Sequence, residues 1–205
     1  MSIRYFSNFP YLTYTLDPTV SIPNDIVTNL FRRVSFRDQL SLDARLFYPY
    51  TIKDSDTPEI IAHKLYGSAD YYWIVTLFNN IIDPILDWPK PYRSFLSYII
   101  SKYGSIAVAQ NTLHHYTKTI TKTNSLGDTT ITTFTIDETT YNSLTSVVPD
   151  AYQLSDGTTV TVTTTRAQVY AYDYEHEVNE SRRSIKLLKV EYLEQVRAEL
   201  AKVSS

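Results

Sequence analysis

Between residues 57 and 80 the chain carries two start and two stop signals, and they leave room for two short helices. Thr57 is a good helix N-cap, and Pro58 fits the first turn after it, where a missing N–H breaks no helical bond. Gly67 suits the left-handed position that ends such a helix. Ser68 caps the next one, Asp70 lies favourably at the positive end of its dipole, and Asn79-Asn80 ends it. Ile60, Ile61 and Leu65 form the buried stripe of the first helix. In the second, Tyr72, Trp73, Thr76 and Leu77 share a face, with Tyr71 and Phe78 beside them. A helix that is apolar nearly all round needs cover on more than one side, from its own chain or from a partner. Trp73 is expected in the core. The preceding "LFYPYTI" suits a short strand, so the unit reads strand–helix–helix, followed by a proline-broken aromatic exit, "IIDPILDWP".

The flanks are of different character. Residues 1–25 hold Pro10, Pro18 and Pro23 among Tyr5, Phe6, Phe9, Tyr11 and Tyr14. Proline fixes φ and removes a donor, so an extended arm is expected. Such an arm must dock, on its own domain or on a neighbour, and residues 1–16 are expected to dock on a neighbour. In "DIVTNLFRRVSF" the apolar spacing predicts a short helix, with a strand as the alternative given the β-branched content. "YRSFLSYIISKYG" predicts a further helix, stopped at Gly104. "HHYTKTITKTNSLGDTTITTFTI" alternates in polarity and predicts a hairpin turning near Asn124–Asp128. "DETTYNSL" suits one or two helical turns, and "GTTVTVTTTRAQVYAYDYE" another long strand. Ile185, Leu188, Tyr192, Val196, Leu200 and Val203 are spaced 3, 4, 4, 4 and 3, which predicts a terminal helix. Its early Arg182, Arg183, Lys186 and Lys189 and later Glu191, Glu194 and Glu199 oppose the helix dipole, so packing must hold it.

Composition narrows the function. With 43% hydrophobic residues the 205-residue chain can bury a core, and its net charge of −3 gives no general drive toward nucleic acid or acidic lipid. No cysteine is present, which removes disulfides, thiol catalysis and zinc–thiolate sites. The first residues do not read as a signal peptide, and no stretch reaches the roughly 18 apolar residues of a membrane helix. A soluble protein made in a cytoplasm is expected. Eighteen tyrosines favour interfaces, and four glycines argue against phosphate-cradling loops.

Chemistry is sparse. His114 and His115 are adjacent, so on a regular strand they point to opposite faces and cannot share a metal. His63 stands alone, and Glu175, His176 and Glu177 alternate in direction. Asp54 and Asp56 have D-x-D spacing without the calcium-loop residues that should follow, and helix entry is the better reading. Nucleophile-elbow and nucleotide-binding motifs are missing. No enzyme, cofactor or metal is expected.

Tyr50 and Ile52 in the strand, Asp56-Thr57, Ile61-Ala62, Tyr66-Gly67, Trp73, Val75 and Asn79-Asn80 together resemble a LysM unit. LysM modules are βααβ, and many bind peptidoglycan or chitin. Here the usual glycine turn and closing strand are replaced by "IIDPILDWP", which argues against glycan binding. Four ordered blocks carry a wider resemblance: "MSIRYFSNFP", "YGSADYYWIVTLFNNIIDPILDWP", "KYGSIAVAQNTLHHY" and "YDYEHEVNESRRSIKLL". They resemble the LysM-like baseplate wedge proteins of contractile-tailed, T-even-type phages. The resemblance implies a non-enzymatic virion protein of the tail baseplate, assembled in the host cytoplasm. It would join wedges and clamp them around the hub, with other wedge and hub-proximal tail proteins as partners. A LysM-type peptidoglycan-binding module is the alternative.

The expected fold is α+β. Residues 1–45 form an arm and short helix, 46–111 a LysM-like core, 112–176 a β-rich segment and 177–205 a terminal helix. The expected partner interface is Tyr5, Phe6, Phe9, Tyr11, Tyr14, Tyr71, Trp88, Ile185, Leu188, Tyr192 and Val196.

Overall fold

The computed structural model describes residues 9–14, 25–29, 45–145 and 147–204. It is a mixture of helices and strands, as an α+β fold requires. Contacts divide the chain into one unit of Met1–Pro91 with Glu180–Ser205 and another of Tyr92–Asn179. The division expected from the sequence is linear. The observed contacts instead interrupt the first unit with the second.

In the first unit, β1 (Tyr11–Tyr14) pairs antiparallel with β2 (Asp25–Thr28), Tyr11 opposite Thr28. The expected helix near residue 26 is therefore a strand over 25–28, where β-branched Ile26 and Val27 favour the pleated backbone. Residues 30–34 of that expectation lie outside the described residues. The strand β3 (Phe47–Thr51) leads into α1 (Pro58–Tyr66), a single 3-10 turn (Ala69–Tyr71) and α2 (Tyr72–Phe78). Thr57 and Gly67 act as the sequence predicts, and Ser68 caps the 3-10 turn ahead of α2. Thr57 Oγ1 accepts from the Ile60 amide at 3.3 Å, Ser68 Oγ accepts from the Asp70 amide at 3.2 Å, and Gly67 takes φ +79°.

The terminal segment needs correction. Residues Ser184–Leu188 form a strand, β8, that pairs antiparallel with β3, Phe47 opposite Leu188 and Thr51 opposite Ser184. Only after a 3-10 turn (Val190–Tyr192) does α7 (Leu193–Ser204) begin. The helical spacing of Ile185 and Leu188 is overridden by a partner far away in sequence, which buries Ile185, Leu187 and Leu188 together. The strand is also held on its second edge. Asn79 Oδ1 accepts from the Lys186 amide at 2.8 Å, and Asn79 Nδ2 donates to the Lys186 carbonyl at 2.8 Å, so the side chain stands in for a neighbouring strand. Tyr66 donates its hydroxyl to the Leu188 carbonyl at 2.9 Å. The strand that pairs with β3 is thus supplied from residues 184–188.

The core of this unit gathers Ile61, Ala62, Trp73, Ile74, Val75 and Phe78 with Leu187 of β8 and Leu193 and Leu200 of α7. Phe9 belongs to the same cluster, which roots that residue on its own chain.

In the second unit, α3 (Tyr92–Tyr103) and α4 (Ile106–Asn111) bury Phe95, Ile99 and Ala109 in a small core, with Tyr172 packed against it. These helices group with the sheet rather than with residues 46–91. The sheet is antiparallel, in the order β5-β4-β7-β6, from β4 (Leu113–Asn124), β5 (Thr129–Ile136), β6 (Val147–Gln153) and β7 (Thr159–Tyr170). The β4–β5 turn lies where the sequence predicts it. Asn124 Oδ1 accepts from the Leu126 and Asp128 amides at 3.0 and 2.8 Å, and Gly127 takes φ +95°. A short helix, α5 (Glu138–Ser143), follows β5.

The long strand ends at Tyr170, not near residue 175, and α6 (Ala171–Ser181) takes over. Alternating Tyr170, Tyr172 and Tyr174 read as a strand, but the buried residues are Ala171, Glu175 and Asn179 at helical spacing. Two of the three are polar, which hides the helical period. Glu175 is buried among Tyr98, Tyr103 and Lys102, with the tyrosine hydroxyls donating at 3.1 and 3.0 Å. Burial raises its carboxyl, but these donors outweigh burial and hold it below the usual range.

Candidate interaction surfaces

The exit after α2 is built as a fixed projection. Pro84 cannot continue a helix, and the two aspartates around it satisfy the turn. Asp83 Oδ1 accepts from the Ile85 and Leu86 amides at 2.8 and 3.3 Å, and Asp87 Oδ2 accepts from the Asp83 and Ile82 amides at 3.1 and 3.3 Å. Arg182 donates to the Leu86 carbonyl. At its far end, buried Trp88 donates Nε1 to the Asp56 carbonyl at 3.0 Å. The turn therefore holds Ile82, Ile85 and Leu86 out in solvent, 74%, 82% and 63% exposed.

Asp56 is the anchor beneath. Its side chain is fully buried and accepts from the Tyr50 hydroxyl at 2.7 Å, the Lys53 amide at 3.0 Å and Lys64 Nζ at 2.9 Å. Burial would raise its carboxyl, but the Lys64, Tyr50 and Lys53 donors bring it down to about 2. The Tyr50 hydroxyl is pushed up to about 12, mainly by its bond to Asp56 and also by burial. Asp54, its partner in the D-x-D spacing, instead pairs with Arg183 at 2.8 Å. The sequence reads Asp56 as helix entry only; nothing in its spacing reveals the three donors.

The interface expected from the sequence is largely redistributed. Phe9, Tyr71, Trp88, Ile185 and Leu188 are brought together, but in the core of the first unit, with Tyr192 and Val196 half-buried against it. The first five are core residues of their own chain, because β8 and the two helices need them for cover. Tyr11 is open to solvent, 69% exposed, beside exposed Leu12, Ile26 and Val27 on the β1–β2 pair. Tyr14 lies on β1. Tyr5 and Phe6 fall outside the described residues. Among the exposed apolar groups that sequence reasoning missed are Ile82, Ile85 and Leu86. Their signal is the pair of aspartates spaced to close a turn over intervening aliphatics.

The histidine pair also needs correction. The register shifts between Leu113 and His115, and this irregularity brings His114 and His115 to the same side, Nδ1 to Nδ1 at 2.8 Å. His114 stacks on Tyr174 with ring centroids 3.8 Å apart. Among the described residues, no group of three His, Asp or Glu could hold a metal ion, and no helix is long and apolar enough to cross a membrane.

A family model described as base plate wedge protein 53 matches residues 1–203. The baseplate wedge protein gp53 of Enterobacteria phage T4 is 25% identical over 114 residues, which covers 56% of this chain and 57% of that protein. The match thus spans little more than half of that relative's length. On the family match, the chain belongs to the base plate wedge protein 53 family, a structural component of the phage virion's tail baseplate.

Proposed function

We propose that this chain joins neighbouring baseplate wedge subunits and clamps them around hub-proximal tail proteins, without catalysis. The observation that carries the reading is the pinned turn presenting Ile82, Ile85 and Leu86. Exposed aliphatics on a backbone already fixed by hydrogen bonds lose little freedom on docking, which is how a structural joint gains affinity from a small area. Exposed Tyr11 and Ile26 on one face of the β1–β2 pair, and Leu12 and Val27 on the other, offer further apolar contacts. The antiparallel β3–β8 pair enclosing α1 and α2 supports a LysM-like βααβ core, closed by a strand from far along the chain. In this reading the core serves as a rigid mount, and the turn after α2 carries protein contacts in place of glycan.

Replacing Ile85 and Leu86 together by aspartate tests the joint. The melting transition is expected to stay within roughly 0.5 kcal/mol of the wild type, as for exposed positions. Sedimentation of reconstituted wedge intermediates should show the assembled species lost. Normal assembly by the double variant would remove the turn from the joint. Co-sedimentation with purified cell walls addresses the glycan alternative. The wild-type chain is expected to remain in the supernatant, and saturable micromolar retention would replace the structural reading with the peptidoglycan-binding one.

A further inference from the structure

The sheet of the second unit has two unlike edges. β6 is one of them, and it carries Pro149, which has no N–H to offer, followed by charged Asp150. Both are ordinary guards against unwanted strand pairing. β5 is the other edge. Its sequence, Thr-Thr-Ile-Thr-Thr-Phe-Thr-Ile, has no charge, no proline and no glycine, and Thr129 to Thr135 are all exposed. The sheet behind it is a single layer: among the described residues of its four strands, only Thr117 and Val160 are buried. An uncharged, β-branched, open edge of this length is what natural proteins avoid unless it is to be covered.

The ladder fixes which backbone groups are available. The Asn124 amide bonds the Asp128 carbonyl at 3.0 Å, and pairing proceeds in step, Lys122 opposite Thr130, Ile120 opposite Thr132 and Lys118 opposite Phe134. Alternation along the strand then turns the N–H and C=O groups of Thr129, Ile131, Thr133 and Thr135 outward.

Charge at the two ends selects the occupant. Asp128 precedes β5, and Asp137 and Glu138 follow it, all three exposed. A second copy of β5 laid antiparallel on the first would set Asp128 of each beside Asp137 and Glu138 of the other, repelling at both ends. The strand that already pairs with β5 shows the complementary pattern, with Lys118 and Lys122 around Thr-Ile-Thr. We propose that β5 accepts an extended segment of another protein, an uncharged β-branched run bracketed by basic residues, as a fifth strand of the sheet. The idea rests on this chain being an assembly protein, but it uses a different surface from the turn at Ile85.

A dye-labelled peptide of seven alternating threonines and valines with lysine at both ends is a suitable probe, read by fluorescence anisotropy against the full-length chain. Saturable binding is expected, weakening as salt rises, and at least tenfold weaker for the same peptide with glutamate at both ends. Thr133→Pro removes an outward N–H while leaving the ladder to β4, so it should abolish binding without shifting the melting curve. Should that variant unfold, the double variant Asp128→Lys, Glu138→Lys supplies an independent arm, in which preference should reverse toward the glutamate-ended peptide. No binding, equal binding of the two peptides, or failure of the reversal would overturn the proposal. So would self-association of the free chain that Thr133→Pro abolishes, which would make a second copy the occupant. The Ile85, Leu86 variant should bind the peptide like wild type, so loss of the wedge joint and loss of the edge site read out separately.

Discussion

Trp73→Ala should destabilise the protein by roughly 3–5 kcal/mol, the range for removing a large aromatic side chain from a packed interior. Trp73 is 2% exposed and belongs to the cluster that α1, α2, β8 and α7 build together. The cluster is close-packed, so the vacated space cannot be filled without moving the elements around it. Chemical denaturation of the full chain is the measurement. A loss under about 1 kcal/mol would mean that the ring is not buried in the free protein and would move it to an interface. Because the second unit has its own small core of Phe95, Ile99 and Ala109, its far-ultraviolet signal should survive to higher denaturant in the variant, giving two separated transitions.

Asp56→Ala is expected to destabilise by about 3 kcal/mol, since the Tyr50 hydroxyl and the Lys53 amide lose a charged acceptor in a buried place. The wild type should also lose stability in acid through this residue. The folded carboxyl titrates at about 2, below its ordinary value of 3.8. Its contribution is therefore complete above roughly pH 5, falls as the pH drops through the acid range, and is gone below about pH 2. The difference corresponds to about 2 kcal/mol. Urea midpoints measured from pH 6 to pH 2 should fall more steeply for the wild type than for Asp56→Ala. Parallel curves would show that the carboxyl is not held by Lys64 and Tyr50 in solution.

The parts of the fold that could be read from the sequence are those set by neighbours in sequence. Thr57, Pro58 and Gly67 act locally, and the helix boundaries they predict stand where they put them, while Ser68 caps a 3-10 turn and the second α-helix begins at Tyr72. The hairpin at Asn124–Asp128 is also local, closed by one asparagine side chain. The misread segments are those decided at a distance. Ile185 and Leu188 keep a helical spacing, yet pairing with Phe47 to Thr51 makes them a strand. Glu175 and Asn179 face inward because Lys102, Tyr98 and Tyr103 receive Glu175, and no hydrophobic period announces a buried carboxylate. The candidate surfaces follow the same division. Aromatic content points to interfaces, but Tyr71 and Trp88 are needed in the core, while aliphatic Ile85 and Leu86 of the Asp83–Asp87 turn stand outside.

The β3–β8 pair has a consequence for synthesis. The ribosome releases the chain from the N-terminus, so Phe47 to Thr51 emerge long before Ser184 to Leu188. Until residue 188 is clear of the exit tunnel, the first unit has no partner for β3 and nothing to cover Ile52 and Trp73 from that side. The second unit lies entirely between these segments and has all of its own strands in hand earlier. Nascent chains therefore mature from the middle outward. A polypeptide broken off before residue 184 has no means of finishing its first unit, however well its sheet forms, so completeness of translation is written into the fold as a condition for a finished subunit.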